Sequence, residues 1–177
     1  MFESVIVALW AMLPAYVPNN AAVVVGGGRP IDGGRTIGGR RLLGDGKTWQ
    51  GTIGGTLSGI LTGVLLNLLA VGLPIDGLVP TFPLLALLGL AGGAMGGDIG
   101  ASLVKRRLNR ERGSPVPGLD QLDFVVGALI CTPILAPGWF FDTFSPAVVL
   151  IVLVITPLLH LGLNVVAFRL GLKNEPY

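Results

Sequence analysis

Residues 81–112, TFPLLALLGLAGGAMGGDIGASLVKRRLNRER, run from an uncharged apolar stretch, through a lone carboxylate at Asp98, into Lys105, Arg106, Arg107, Arg110 and Arg112. A helix needs about 20 apolar residues to cross ~30 Å of hydrocarbon, and this stretch supplies them. Similar apolar runs lie at residues 4–25, 51–73, 122–141 and 146–168, so with 81–104 the chain has five candidate crossings. Five crossings make the intervening segments alternate sides, and that alternation sorts the charge. The first connection holds Arg29, Arg35, Arg40, Arg41 and Lys47, the third holds the basic run quoted above, and the tail adds Arg169 and Lys173. The N-terminus and the 74–80 and 142–145 turns carry Glu3, Asp76 and Asp142 but no basic residue. Basic residues in short loops stay in the cytoplasm during insertion. The sequence therefore predicts an all-α integral membrane protein with five transmembrane helices, N-terminus outside and C-terminus cytoplasmic. Four or six spans would scatter the basic residues over both faces.

The composition agrees. With 177 residues, 51% apolar and 12% charged, and a mean hydropathy of +0.76, the chain reads as one membrane-embedded domain over 1–177, multi-pass in the cell membrane. Too little remains outside the spans for a soluble domain, so an active site has to be built from cytosolic loops and span ends. The formal net charge of +2 is small, but its one-sided distribution favours anionic headgroups or phosphates at the inner face. No folded basic domain is left to bind nucleic acid. Cys131 is the single cysteine and has no intramolecular partner. A cleavable signal peptide is not expected, because the n-region lacks a positive charge.

Within the spans, Pro14, Pro18 and the pair Asn19, Asn20 predict that the first is kinked or broken towards its cytosolic end. Such a break either lines a pocket or is satisfied by neighbouring helices. The glycines of residues 26–50 permit left-handed backbone and close approach to a ligand. Gly51, Gly54, Gly55, Gly59 and Gly63 of the second span, with Thr52, Thr56 and Ser58 between them, allow close helix packing and could serve a homodimer. If the third helix continues beyond the membrane, Asp98, Ser102, Lys105 and Asn109 share one face. Pro117 and Gly118 announce the fourth span, with Asp120 and Asp123 in its first turn. His160 and Asn164 lie one turn apart in the fifth.

Asp98, Asp120 and Asp123 all fall at cytosolic span ends. An ionised carboxylate at membrane depth costs several kcal/mol (about 3 on insertion scales) and requires a cation partner. Asp120 and Asp123 also suit helix N-terminal capping. Together, three carboxylates beside many basic residues provide hard oxygen ligands next to phosphate-binding cations, the equipment of Mg²⁺-dependent nucleotidyl transfer. Gly44, Asp45, Gly46, Lys47 and Thr48 resemble the end of a P-loop, but Arg41 stands where that motif requires glycine. Asp45 and Gly46 also fail the pattern of CDP-alcohol phosphotransferases, since Lys47 and Thr48 follow.

The order Ser102, Leu103, Val104, Lys105, Arg106, then Pro117, Gly118, Leu119, Asp120, Gln121, Leu122, Asp123, resembles the signature of the membrane CTP-transferase family. Gly46, Lys47, Thr48, Trp49, Gln50, Gly51 and the following glycines are similar to a second family element, and Gly97, Asp98 to a third. Gln121 stands in place of the usual Arg, and no His-Gly-Gly precedes the first aspartate. These departures, the short chain and the elements from Asn19 to Asp32 resemble the compact archaeal branch, the CDP-archaeol synthases. The resemblance implies a membrane cytidylyltransferase condensing CTP with 2,3-bis-O-geranylgeranyl-sn-glycerol 1-phosphate to CDP-archaeol and pyrophosphate, in phospholipid biosynthesis. It implies Asp98, Asp120 and Asp123 as metal ligands for Mg²⁺, and Lys47 and Lys105 as catalytic cations. Arg41, Lys47, Thr48, Trp49 and Arg106 are then expected on CTP, and Asn19, Asn20 and Lys105 on the lipid headgroup. A small transporter or channel with a basic vestibule is the rival, favoured by the kinked first span and by His160 and Asn164. Against it, the polar residues crowd at one face instead of tracing a path across the bilayer.

Overall fold

A computed structural model describes residues 2–73, 77–110, 116–169 and 171. Asp76, Arg112 and Lys173 of the charge argument lie outside the described residues. Among the described residues, the regular structure is helical apart from one short hairpin. In order it forms α1 (Phe2–Val25), β1 (Thr36–Ile37), β2 (Arg40–Arg41), α2 (Trp49–Gly72), α3 (Leu84–Leu87), a π-helical turn (Leu88–Gly92), α4 (Gly93–Arg107), α5 (Leu119–Leu135), α6 (Pro137–Thr143) and α7 (Pro146–Arg169). α3, the π turn and α4 make one continuous rod. Among the described residues, four helices are long and apolar enough to cross a membrane: Phe2–Val25, Trp49–Gly72, Leu84–Arg107 and Pro146–Val166.

Three local expectations are corrected. Of the two readings of the first span, the broken one falls, since α1 runs as one helix through Pro14 and Pro18. Pro18 removes the N–H that would bond the Pro14 carbonyl, and that carbonyl instead faces Gly59 of α2. A Cβ on Gly59 would lie 2.4 Å from it. Glycine thus gives the proline-containing helix room. The expected fourth span, 122–141, divides at Ala136 into α5, of 17 residues, and α6. Ala136 precedes Pro137 and is pushed out of helical geometry, with φ −141° and ψ 64°. Finally, α4 stops at Arg107 instead of extending past Asn109, which takes φ 60°, a left-handed value that Asn tolerates at helix ends.

Two sets of glycines bring the helices together. Gly51, Gly55, Gly59 and Gly63 are buried on one face of α2. Their positions abut Ala22, Pro18 and Pro14 of α1 and Leu87 of α3. The face offered to a second copy is therefore taken up within the chain, and α2 turns Ile53, Leu57, Leu61 and Leu68 outward. α4 and α5 cross at Gly93, Gly97 and Gly127, where a Cβ on Gly127 would lie 2.2 Å from the Gly93 carbonyl oxygen. The core between these contacts includes Met12, Leu87, Leu90, Val125 and Val152, each under 2% exposed.

At the end of the bundle remote from the basic loops, the chain before α3 leaves helical geometry, and side chains satisfy its backbone. Asn67 Nδ2 donates to the Phe82 carbonyl at 2.9 Å, and Phe82 N–H donates to Asn67 Oδ1 at 2.7 Å. Trp10 and Trp139 donate their indole N–H groups to the Pro80 and Thr81 carbonyls. Unpaired backbone is costly in hydrocarbon, so these bonds allow a non-helical run at this depth.

Gly59→Ala forces a methyl group against the Pro14 carbonyl and Ala91, and is expected to lower stability by about 1–3 kcal/mol. Gly162→Ala, which meets nothing within 4 Å, is expected to leave it unchanged or slightly higher. Thermal unfolding of the two variants in detergent checks this contrast.

Candidate active site

The loop before α2 is organised by one carboxylate. The Asp32 side chain is wholly buried and Arg41 grips both its oxygens, with Nη2 donating to Oδ1 at 2.7 Å and Nε to Oδ2 at 3.2 Å. Gly34 N–H donates to Oδ1, and the N–H groups of Leu43 and Gly44 donate to Oδ2. Gly44 presents its N–H from a left-handed φ of 89°, which favours glycine there. This arrangement holds the Asp32 carboxyl well below the usual carboxylate range, chiefly through Arg41, and raises Arg41 in return. Arg41 also donates to Asp45 at 2.7 Å. Arg41, expected on the triphosphate, is instead the structural clamp of the loop.

The same loop aims Lys47. Ile31 N–H donates to the Lys47 carbonyl at 2.8 Å, and Trp49 N–H donates to the Arg29 carbonyl at 3.2 Å, so the two ends of the loop are tied side by side. Thr48 caps α2, its hydroxyl oxygen accepting from Gly51 N–H at 3.1 Å and Gly27 N–H at 3.4 Å. Held in this way, Lys47 Nζ lies 2.5 Å from Asp98 Oδ2 of α4. About two turns further along α4, Lys105 pairs with Asp120 of α5. Asp120 Oδ2 also accepts from Val116 N–H at 2.9 Å, so it closes the start of its own helix as well. Asp123 lies beyond the first turn of α5 and is brought close by Gly97, whose Cβ would fall 2.1 Å from the Asp123 carbonyl oxygen.

These groups line a cavity of about 610 Å³. Asp98, Asp120, Asp123, Lys47, Lys105, Thr48, Asn19 and Asn20 all border it, so the structure brings together most of the residues expected in the site. A smaller chamber of about 260 Å³ adjoins it, sharing Lys47, Asp98 and Lys105 and adding Ser102 and Arg106. Arg106 donates to the Arg110 carbonyl at 2.7 Å. Trp49 is half exposed at the start of α2 and borders neither cavity. The Asn19 Oδ1 atom is buried, and among the described residues no donor reaches it.

The opposite wall comes from α1 and α7. Tyr16, Thr156, His160 and Asn164 line the same cavity, with Tyr16 Oη and Thr156 Oγ1 2.8 Å apart. His160 and Asn164, read as signs of a transport path, are thus part of this one chamber. Tyr16 and Thr156 were not singled out from sequence. The i, i+4, i+8 spacing of Thr156, His160 and Asn164 was the available signal, since it places all three on one helical face.

The three carboxylates bordering the cavity offer hard oxygen ligands, the kind that suits Mg²⁺. Among the described residues, no three carboxylate, His or Cys groups are yet drawn together closely enough to hold one ion. Lysines occupy two of the three carboxylates.

A helical membrane protein with carboxylates and lysines gathered at one end of its helices, beside a chamber walled by apolar segments, has the build of an intramembrane transferase for anionic substrates. The family profile described as CarS-like, CDP-archaeol synthase, matches residues 1–177. CDP-archaeol synthases similar to this chain include that of Haloarcula marismortui, 60% identical over 99% of this chain and 98% of its own length. That of Halorubrum lacusprofundi is 58% identical over 96% of both, and that of Methanosarcina mazei 46% identical over 94% and 100%. A solved structure, described as an intramembrane enzyme for archaeal membrane lipids biosynthesis, is 43% identical and superposes with a TM-score of 0.73 over 89% of this chain and 92% of that one. The chain belongs to the CDP-archaeol synthase family. It is a multi-pass membrane enzyme, a CTP-dependent transferase of archaeal lipid synthesis.

The Asp32 clamp has a pH signature. An aspartate whose folded value is depressed contributes stability that is complete above its unfolded value of ~3.9 and is lost as pH falls towards the folded one. Asp32→Asn is expected to remove that contribution at neutral pH already, about 1.5–3 kcal/mol for hydrogen bonds to a charged group. Hydrogen exchange at the Leu43 and Gly44 amides should then accelerate in the variant at pH 7.

Proposed function

We propose that the chain condenses CTP with an isoprenoid ether lipid phosphate, 2,3-bis-O-geranylgeranyl-sn-glycerol 1-phosphate, at the inner face of the membrane. The observation carrying this reading is that Asp98, Asp120 and Asp123, from two helices, border one chamber with Lys47 and Lys105. In the full topology, α5 with α6 supplies a fifth crossing, the N-terminus lies outside and the C-terminus in the cytoplasm. The basic residues of the 26–48 loop and of the end of α4 then face CTP.

In the reaction a lipid phosphate oxygen forms a bond to the α-phosphorus of CTP, the bond to the β-phosphate bridge breaks, and pyrophosphate leaves. The nucleophile is already anionic, so no strong base is needed. The barrier is the approach of two polyanions and the charge on the departing group. Two unit charges 4 Å apart interact by about 4 kcal/mol at an effective dielectric of 20, so each correctly placed lysine matters. Lys47 and Lys105 supply positive charge to the phosphates, and Arg106 adds to it from the smaller chamber. Asp98, Asp120 and Asp123 are the residues that would hold Mg²⁺, whose chemistry is to neutralise phosphate oxygens and polarise the α-phosphorus. The carboxylate set fits such an ion by donor type, and the buried acceptor on Asn19 points to a further polar contact in the chamber. Asn19 and Asn20, at the end of α1, are placed for the lipid headgroup. The apolar walls suit its chains.

Asp98→Asn and Asp120→Asn are each expected to lower CTP-dependent pyrophosphate release at least ~10²-fold while the protein still folds. Full activity in either variant contradicts the assignment. Stabilisation by CTP with Mg²⁺ in preference to ATP, read by thermal shift, checks the nucleotide separately.

A further inference from the structure

Two lysines stand where a cation held by the carboxylates has to go. Lys47 reaches Asp98 from the loop before α2, and Lys105 of α4 reaches Asp120 of α5. All four side chains are partly buried, between 19% and 24% exposed. On the reading of the metal site given above, Asp98 and Asp120 cannot keep these partners and ligate a divalent ion at once. We propose that Lys47 and Lys105 are exchangeable counter-ions. In the nucleotide-free protein they neutralise Asp98 and Asp120 and hold a divalent ion off, and they move onto the substrate phosphates when metal and nucleotide arrive together.

Charge balance supports the exchange. An unpartnered carboxylate at this depth is expensive, so a chamber bordered by Asp98 and Asp120 needs built-in positive charge. When a metal ion takes over that duty, the two ammonium groups are left next to an incoming polyanion and have somewhere to go. The geometry supports it as well. Lys47, Asp98 and Lys105 form the boundary between the two chambers, so each ammonium has free volume within reach of its flexible stem.

The contrast with Asp32 is direct. There a guanidinium fork and three backbone N–H groups fill both carboxylate oxygens, which makes a fixed pair. Asp98 is held, among the described contacts, through a single ammonium. One chain therefore uses Arg where the ion pair is permanent and Lys where it is proposed to be temporary. Lys47 and Lys105 act here as positioning residues that set the order of binding, in addition to their contact with phosphate.

The test is Mn²⁺ binding to the full-length, nucleotide-free protein, with free ion read by electron paramagnetic resonance. Lys47→Met and Lys105→Met are expected to bind Mn²⁺ about tenfold more tightly than the unsubstituted protein, within the ~5–150-fold range typical of coupled sites. Unchanged affinity in both overturns the exchange and leaves the metal site standing. A tightening that Asp98→Asn fails to abolish places the ion elsewhere and overturns both readings. Lys47→Arg keeps the charge and is independent of how the methionine variants fold. It should grip Asp98 through a fork and bind Mn²⁺ more weakly than the unsubstituted protein, and equal or tighter binding contradicts the proposal.

Discussion

Charge burial at the edge of the hydrocarbon is the constraint on which the rest of this structure depends. Asp98 lies far enough along the rod formed by α3, the π turn and α4 that it must be partnered within the protein. The partner, Lys47, comes from the loop before α2. That ion pair, 2.5 Å long, ties the loop before α2 to α4, and Arg107 Nη1, donating to the Ile37 carbonyl at 3.3 Å, adds a second tie. The clamp of Arg41 on Asp32 makes the tie useful, because it stiffens the loop that presents Lys47.

Glycine does the complementary work. Carboxylates on separate helices border one chamber only if the helix backbones come very close, and any Cβ at the crossing would prevent it. Gly97 against the Asp123 carbonyl and Gly127 against Gly93 set the spacing of α4 and α5, and so the distance from Asp98 to Asp123. On the other side of the bundle, the buried glycines of α2 let α1 pass with two prolines in it and place Asn19 on the chamber wall. Site and fold share these residues. A substitution at Gly97 would act on chemistry through packing, without touching a substrate.

Much of this was legible in the sequence, for identifiable reasons. Apolar length and basic asymmetry are properties of whole segments, so helical membrane character emerged without any tertiary knowledge. Asp98, Asp120, Asp123, Lys47 and Lys105 stood out because a charge next to a span demands an explanation. Arg41 was expected on a phosphate and pairs with Asp32, nine residues away, because in sequence a basic residue in a glycine-rich loop looks the same whichever it meets. The sequence leaves open whether α1 breaks or stays continuous at its prolines, because proline rules describe an isolated helix and the relief comes from glycines on a neighbour. The break at Ala136 did carry a local signal in Pro137, outweighed by the apolar run on either side. Asn67 was passed over because its partner, the Phe82 backbone, is visible only once α2 and the start of α3 are side by side.

The central claim is that Asp98, Asp120 and Asp123 converge on one divalent ion beside the nucleotide. Anomalous scattering from crystals grown with CTP and Mn²⁺ addresses it most directly. A manganese peak in ligating contact with Asp98 and at least one of Asp120 and Asp123, with the triphosphate against it, is the result expected. Manganese held away from all three carboxylates, with Lys47 still on Asp98 and Lys105 still on Asp120, would contradict it.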